Sequence, residues 1–191
     1  HQYSTTPLSE QGFQEATRLA NRLKEAEVGA IYSSPLMRAS QTAEAISTVL
    51  GKQIIFLDEL REIKRPTEIE GKSHSDPIVL QIKEGIKNNY GNKNWHHSDE
   101  ENFWDIRTRV EKLMQKLQVE SVTDILLVSH GVVIKMFLSL CIFRESLTAD
   151  EFLSLYENLS ISNTGITHCQ FTQDKGWKVV RVNDTTHLNQ G

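Results

Sequence analysis

The apolar residues of this chain are spaced in some stretches as in helices and in others as in strands. Near the start they recur every three to four positions, which predicts a helix with one buried face, and Ser9 stands where it can cap that helix. The buried face consists of Phe13, Ala16, Leu19, Ala20, Leu23 and Ala26. Short apolar runs at 28–34 and 53–58 predict two strands. The stretch 35–51 between them predicts a second helix, with proline near its start and glycine past its end.

The pattern loosens over residues 59–97 and becomes regular again afterwards. This segment is charged and irregular, apart from a helical pattern at 75–89, and we interpret it as a small inserted lid. Ser98 and Glu101, three residues apart, form the signature of a capping box. They predict that the next helix begins there and runs to about residue 118.

The last part of the chain again alternates between strand and helix. An unbroken apolar run at 124–129 predicts a fully buried strand, and the helical pattern 132–143 follows it closely. Two further strands are predicted near 161–171 and 176–183. This alternation predicts a single α/β domain over residues 1–191. We expect a three-layer sandwich, in which a mostly parallel central sheet carries helices on both faces.

Composition changes this picture mainly by exclusion. A chain of 191 residues with 38% hydrophobic and 24% charged residues is typical of one ordinary globular domain. The net charge of −4 gives no global attraction to nucleic acid or to a membrane, so any anion site must be local. The apolar run 132–143 contains Lys135 and is too short for a membrane span, which needs about 20 residues. Cys141 and Cys169 lack a metal-binding spacing, which favours free thiols and a cytoplasmic location. The sequence does not predict the oligomeric state.

Two junctions between a strand and a helix, IYSSPLMR and LLVSHG, have the pattern of an anion-binding site. Ligands of parallel α/β sheets bind beyond the carboxyl ends of the strands, where helix N-termini present free N–H groups and a positive dipole end. Arg38 lies in the first turn of its predicted helix and opposes that dipole unless an anion lies between them. Its guanidinium suits phosphate recognition, although a solvated or carboxylate-paired arginine is the alternative.

Three further residues extend this hypothesis. His130 ends the buried strand, and Gly131 behind it would let a ligand approach the backbone closely. Near a bound phosphate, the carboxyl group of Glu62 would tend to be protonated, which suits a general acid for a leaving alcohol. On position alone, however, His130 could equally be a core histidine, and Glu62 could be a surface carboxylate paired with Arg61 or Lys64.

Four stretches of the chain resemble a known family. The stretches are TTPLSEQGFQEATRLANRL, AIYSSPLMRASQTAEAI, LREI with the following EIEGKS, and LLVSHG. Their order and spacing resemble those of the histidine phosphatase superfamily, also called phosphoglycerate mutase-like. The resemblance implies transfer of a phosphoryl group from a small phosphorylated substrate through a phosphohistidine, with neither a metal nor another cofactor. It further implies that Arg38 and His130 belong to the phosphate pocket and that Glu62 is the proton donor.

The sequence departs from the family pattern at the nucleophile. The family carries its nucleophilic histidine in an Arg-His-Gly motif at the end of its first strand, and this motif does not occur here. His1 is expected to be a loop residue rather than a substitute, and Thr5 and Thr6 lie where that loop passes the phosphate. We therefore expect the sequence to be an N-terminally shortened record that lacks a central strand, and we expect these residues alone to be inactive on phosphoesters.

Two other functions and the substrate stay open at this stage. A phosphoglycerate-type mutase is one alternative, and a non-catalytic protein that binds phosphorylated ligands or a protein partner is the other, should the chain truly start at His1. Four cations at the presumed pocket mouth favour a phosphomonoester with additional negative charge, unless they are merely solvated: Arg61, Lys64, Arg65 and Lys72. The remaining candidate metal ligands match no motif of the family, so we expect no metal: His74, His96, His97 and His168.

Overall fold

A computed structural model describes residues 5–189 of the chain. Among these residues lies a parallel sheet of three strands in the order β2-β1-β3, formed by β1 (Ala30–Ser33), β2 (Ile54–Phe56) and β3 (Ile125–Val128). The helices are α1 (Glu10–Arg22), α2 (Met37–Leu50), α3 (Pro77–Asn88), α4 (Phe103–Gln118), α5 (Gly131–Phe143) and α6 (Ala149–Asn158). Two closing strands, β4 (Ile166–Thr172) and β5 (Gly176–Asp184), pair with each other as a separate antiparallel sheet. The predicted α/β class is confirmed.

Alternate residues of β1 face the two helix layers. Ile31 is fully buried and packs in one cluster with Ala43 and Ile46 of α2. Its neighbour Tyr32 points to the opposite face, where it packs with Leu113 of α4. Because successive strand side chains point to opposite faces, one short strand serves two cores, which makes the three layers that the sequence predicts.

The first helix confirms most of its predicted buried face. Ser9 is the N-cap of α1, and its hydroxyl oxygen accepts a hydrogen bond of 3.1 Å from the backbone N–H of Gly12. Ala16, Leu19, Ala20 and Leu23 are buried, as predicted. The two ends of the predicted face are wrong, because Phe13 is 46% exposed and Ala26 lies beyond the last turn of the helix.

The predicted start of α4 is also wrong, by one turn. The capping box is formed by Asn102 and Asp105, whose side chains each accept a hydrogen bond from the other residue's backbone N–H. The sequence contains two overlapping capping signatures, and tertiary contacts decide between them. Glu101 is drawn away from the helix by Arg109, with which it forms an ion pair of 2.7 Å.

The segment 59–97 connects β2 to the start of α4. Its one α-helix is α3, and Val79 and Ile82 of that helix pack with Ile69 in a small core of their own. Its role as a lid stays a prediction. No helix in the described range 5–189 is long and apolar enough to cross a membrane.

Candidate active site

The two predicted junctions meet at the carboxyl ends of the neighbouring strands β1 and β3. Ser33 is paired with Val128, so the residues that follow these two strands leave the sheet side by side. Ser34 extends the ladder through its backbone N–H, which donates to the carbonyl oxygen of Val128 at 2.9 Å. The imidazole Nε2 of His130 lies 2.8 Å from the hydroxyl oxygen of Ser34. The sheet register therefore brings together two stretches that are almost a hundred positions apart.

His130 is held neutral in this site. The residue is only 7% exposed, and it precedes the first turn of α5. Burial lowers the pKa of His130 to about 3, and the positive charges of Arg38 and Arg109 lower it further in the same direction. An imidazole in such surroundings gains a proton readily only when a negative charge arrives beside it.

Arg38 lies in the first turn of α2, where the sequence predicts it, and it carries an unsatisfied group. Its Nη1 atom is buried and has no hydrogen-bond partner within the described part of the chain. Burial lowers the pKa of Arg38, whereas the nearby carboxylate of Glu62 raises it. A buried N–H donor without an acceptor costs about 1–3 kcal/mol, and more for a charged group. The helix dipole adds to this cost, so the position favours an anion.

Glu62 lies at the N-terminus of α5. One carboxylate oxygen accepts a hydrogen bond of 2.9 Å from the backbone N–H of Ile63, and the other accepts a longer one of 3.4 Å from that of Val132. Neither Arg61 nor Lys64 pairs with Glu62, because Arg61 contacts Asp58 and Lys64 contacts Asp99. The carboxyl group is thus within electrostatic range of Arg38, beside the first turn of the helix that follows His130.

The remaining predicted residues border this region. Thr5 is exposed and lines a cleft of about 300 Å³ together with Arg61 and with Pro35, Leu36, Met37 and Ser40 at the start of α2. Thr6 is half-buried, in the loop that is tied to α2 by a hydrogen bond of 2.8 Å from the N–H of Leu8 to Gln41. A Cβ atom at Gly131 would meet nothing within 4 Å. Among the described residues, no protein atom would clash with a larger side chain at this position. That glycine leaves room for a ligand stays a prediction. His1 lies outside the described residues.

A second arginine, which the sequence analysis missed, holds the loop of Glu62. The Nε and Nη2 atoms of Arg109 donate to the two carboxylate oxygens of Glu101, both at 2.7 Å. Its Nη1 atom donates to the carbonyl oxygens of Glu59 and Arg61, both at 2.8 Å. Glu101 in turn accepts a hydrogen bond of 2.8 Å from the backbone N–H of Lys64. The pair therefore fixes the backbone on both sides of Glu62, and we call it the Arg109–Glu101 clamp.

Two of the other histidines pair with carboxylates away from this site. His96 lies 2.7 Å from Asp105, and His97 lies 2.9 Å from Glu68. Residues 5–189 contain no group of three or more potential ligands arranged to hold a metal ion.

The arrangement as a whole has the chemistry of an oxyanion pocket. Two helix N-termini, a guanidinium and a neutral imidazole face the same end of a parallel sheet, with a carboxyl group beside them. Within residues 5–189, one nitrogen of that guanidinium is buried without an acceptor. Such donors stabilise the charge that develops on a transferring phosphoryl group. Fold and side chains together thus define an α/β protein whose sheet edge carries donors suited to an anion of this kind.

Comparison with known proteins identifies the family. Residues 2–185 match the model of the histidine phosphatase superfamily (branch 1), and the chain belongs to this family. It is 30% identical over 192 residues to the "Putative phosphoserine phosphatase 2" of Hydrogenobacter thermophilus, and the match covers 97% of this chain and 85% of that protein. It is also 30% identical over 198 residues to the "Probable phosphoglycerate mutase GpmB" of Escherichia coli O139:H28, with the same coverage of 97% and 85%. The solved structure of Bacillus stearothermophilus YhfR superposes with a TM-score of 0.79 at 26% identity, over 96% of this chain and 88% of that one.

Proposed function

We propose that this protein is a phosphomonoester hydrolase that acts on a small phosphorylated metabolite through a phosphohistidine intermediate. Membership of the histidine phosphatase superfamily supports a phosphatase or a mutase. We further propose a cytoplasmic location, for which the free thiols of Cys141 and Cys169 are the support.

The observation that carries the proposal is the buried Nη1 atom of Arg38, which has no hydrogen-bond partner among residues 5–189. A guanidinium donor in this state lacks an acceptor, and a phosphoryl oxygen placed between Arg38 and the first turn of α2 would supply one. The same oxygen would resolve the conflict between the arginine and the positive end of the helix dipole. Phosphate is thereby favoured over an uncharged ligand.

The roles of the side chains follow from their positions. Arg38 would bind the non-bridging oxygens throughout the reaction. His130, whose pKa burial lowers to about 3, would take up a proton as the dianion binds and would then donate a hydrogen bond to it. Glu62, beside the start of α5, would give a proton to the oxygen of the leaving alcohol. Arg38, His130 and Glu62 are the proposed catalytic residues, and Thr5, Thr6 and Gly131 the proposed substrate contacts.

The test is hydrolysis of p-nitrophenyl phosphate by the protein as its gene encodes it. Loss of one preorganised donor to the transition state costs about 3–4 kcal/mol, so Arg38→Ala should reduce kcat/KM by roughly 10²–10³-fold. Arg38→Lys should restore little, because an ammonium group lacks the fork of parallel donors. Near-normal turnover by either variant, with the fold intact by circular dichroism, would refute the proposed role.

A mutase is the second candidate, and the similarity to the protein named as a phosphoglycerate mutase supports it. The two functions differ in whether water or a second substrate takes the phosphoryl group from the enzyme. Incubation with 3-phosphoglycerate separates them. Release of inorganic phosphate supports the hydrolase, whereas equilibration with 2-phosphoglycerate without release supports the mutase.

A further inference from the structure

Beside Glu62 lies a cluster of two cations and one aromatic ring that the proposed reaction does not use. It consists of Arg65 in the loop after Glu62, Lys135 on α5 and Tyr156 on α6. The Nη2 atom of Arg65 lies 3.5 Å from the hydroxyl oxygen of Tyr156. The Nζ atom of Lys135 lies 4.5 Å from the centre of the same ring. We call these three residues the Tyr156 cluster.

Lys135 connects the cluster to the catalytic region. It follows the first turn of α5, where the backbone N–H of Val132 reaches Glu62. Burial lowers the pKa of Lys135, while Glu62 raises it, so the two side chains are within electrostatic range. The ammonium group also donates a hydrogen bond of 2.8 Å to the carbonyl oxygen of Tyr156, in the last turn of α6. Lys135 is therefore a positioning residue that holds Tyr156 both by its backbone and by its ring.

Arg65 differs from the nearby cations Arg61 and Lys64 because its guanidinium is not paired with a carboxylate of the described residues. Lys64 forms an ion pair of 2.9 Å with Asp99, and Arg61 contacts Asp58 at 3.3 Å. Within residues 5–189, Arg65 forms no ion pair with a carboxylate, and its contact with the Tyr156 hydroxyl uses only one edge of the guanidinium. The side chain is half-buried, so its position is more restricted than that of a freely solvated arginine.

We infer that Arg65, oriented by Tyr156, binds a carboxylate on the substrate, and that the protein prefers phosphomonoesters that carry such a second anionic group. A guanidinium offers parallel N–H donors that match the two oxygens of a carboxylate. The phosphoryl group would lie at Arg38, the leaving oxygen at Glu62, and the acidic end of the substrate toward Arg65. The selectivity residue thus lies three positions after the proton donor, in the same loop. This inference rests on the proposed function, because it assigns the acidic substrate class to the same site.

The test compares 3-phosphoglycerate with glycerol 3-phosphate, which differ only in a carboxylate against a hydroxymethyl group. Calorimetric titration gives the ratio of their Kd values, and phosphate release gives the ratio of their kcat/KM values. The wild type should favour 3-phosphoglycerate in both ratios. Arg65→Met should reduce the preference by about tenfold, the loss expected for a hydrogen bond to a charged group. Tyr156→Phe, which removes only the hydroxyl that orients Arg65, should reduce it by less.

Lys64→Met is the matched control, since it removes an adjacent cation that is already paired with Asp99, and it should leave both ratios unchanged. Equal preference in the wild type, or an unchanged ratio in Arg65→Met, would overturn the inference. An equal decrease in Lys64→Met would overturn it as well, because general attraction of anions would then explain the preference. If the binding ratio responds as expected while no ester is turned over, the subsite stands and the proposed hydrolase function fails.

Discussion

The Arg109–Glu101 clamp leads to a prediction that joins stability to catalysis. Arg109 makes four hydrogen bonds of 2.7–2.8 Å, two to the carboxylate of Glu101 and two to the backbone carbonyl oxygens of Glu59 and Arg61, just before Glu62. In Arg109→Lys the ammonium group can keep one or two of these bonds. The ion pair is only about one-fifth exposed, at 18% and 21% for the two side chains, so solvent replaces few of the lost contacts. With a net value of about 1–1.5 kcal/mol for each lost bond, the free energy of unfolding should fall by roughly 2–4 kcal/mol.

The same substitution should disturb the placement of Glu62. We expect Arg109→Lys to reduce kcat by about tenfold or more for an alkyl phosphate and by less for p-nitrophenyl phosphate, because a poor leaving group depends on a well-placed acid. Urea unfolding followed by circular dichroism measures the stability, and phosphate release measures the activity.

Arg107→Lys is the matched control for this experiment. Arg107 lies on the same helix, pairs with Glu111 at 2.8 Å and donates to the carbonyl oxygens of Leu147 and Glu145 at 2.7 and 3.2 Å, away from Glu62. Its substitution should lower stability comparably but leave the ratio of the two activities as in the wild type. A loss of stability below about 0.5 kcal/mol in Arg109→Lys, or the same shift of the activity ratio in both variants, would refute the reasoning.

Three further predictions concern the proposed catalytic residues. Glu62→Gln should reduce turnover of alkyl phosphates more than that of p-nitrophenyl phosphate, and equal losses would mean that Glu62 only positions other groups. A trapped phosphoenzyme, digested and mapped by mass spectrometry, should carry its phosphate on a residue other than His130; a phosphate found on His130 would reverse the roles assigned above. Because the pKa of His130 is lowered to about 3 in the folded protein, its contribution to stability is present above an unfolded pKa of about 6.5 and is lost as the pH falls toward 3. Between pH 7 and pH 5, the free energy of unfolding measured in urea should therefore decrease by roughly 2 kcal/mol less in His130→Asn than in the wild type. An identical decrease in both proteins would contradict a lowered pKa of His130.

The sequence predicts the centre of the candidate site because the relevant residues follow strands. Arg38 and His130 stand at the ends of apolar runs, and the parallel pairing of β1 and β3 brings all such ends to one edge of the sheet. The pairing of His130 with Ser34 is a consequence of that register and needs no further signal.

Contacts between distant loops and helices carry no comparable pattern. Glu101 fits a capping box with Ser98, and the overlapping pair Asn102 and Asp105 fits one equally well. Only the position of Arg109, two turns into α4, draws Glu101 out of the cap and toward the loop of Glu62. The contact of Arg65 with Tyr156 likewise joins residues 91 positions apart, on elements whose mutual packing no local spacing reveals.

The most direct test of the central claim is a crystal structure of the protein, as its gene encodes it, soaked with orthovanadate, which stands in for a transferring phosphoryl group. The account predicts a vanadate oxygen within hydrogen-bond distance of the Nη1 atom of Arg38, which has no acceptor among the described residues. It predicts a second oxygen against the imidazole ring of His130, between the first turns of α2 and α5. Vanadate bound elsewhere, with Arg38 still lacking an acceptor, would contradict the claim that these residues form a phosphoryl pocket.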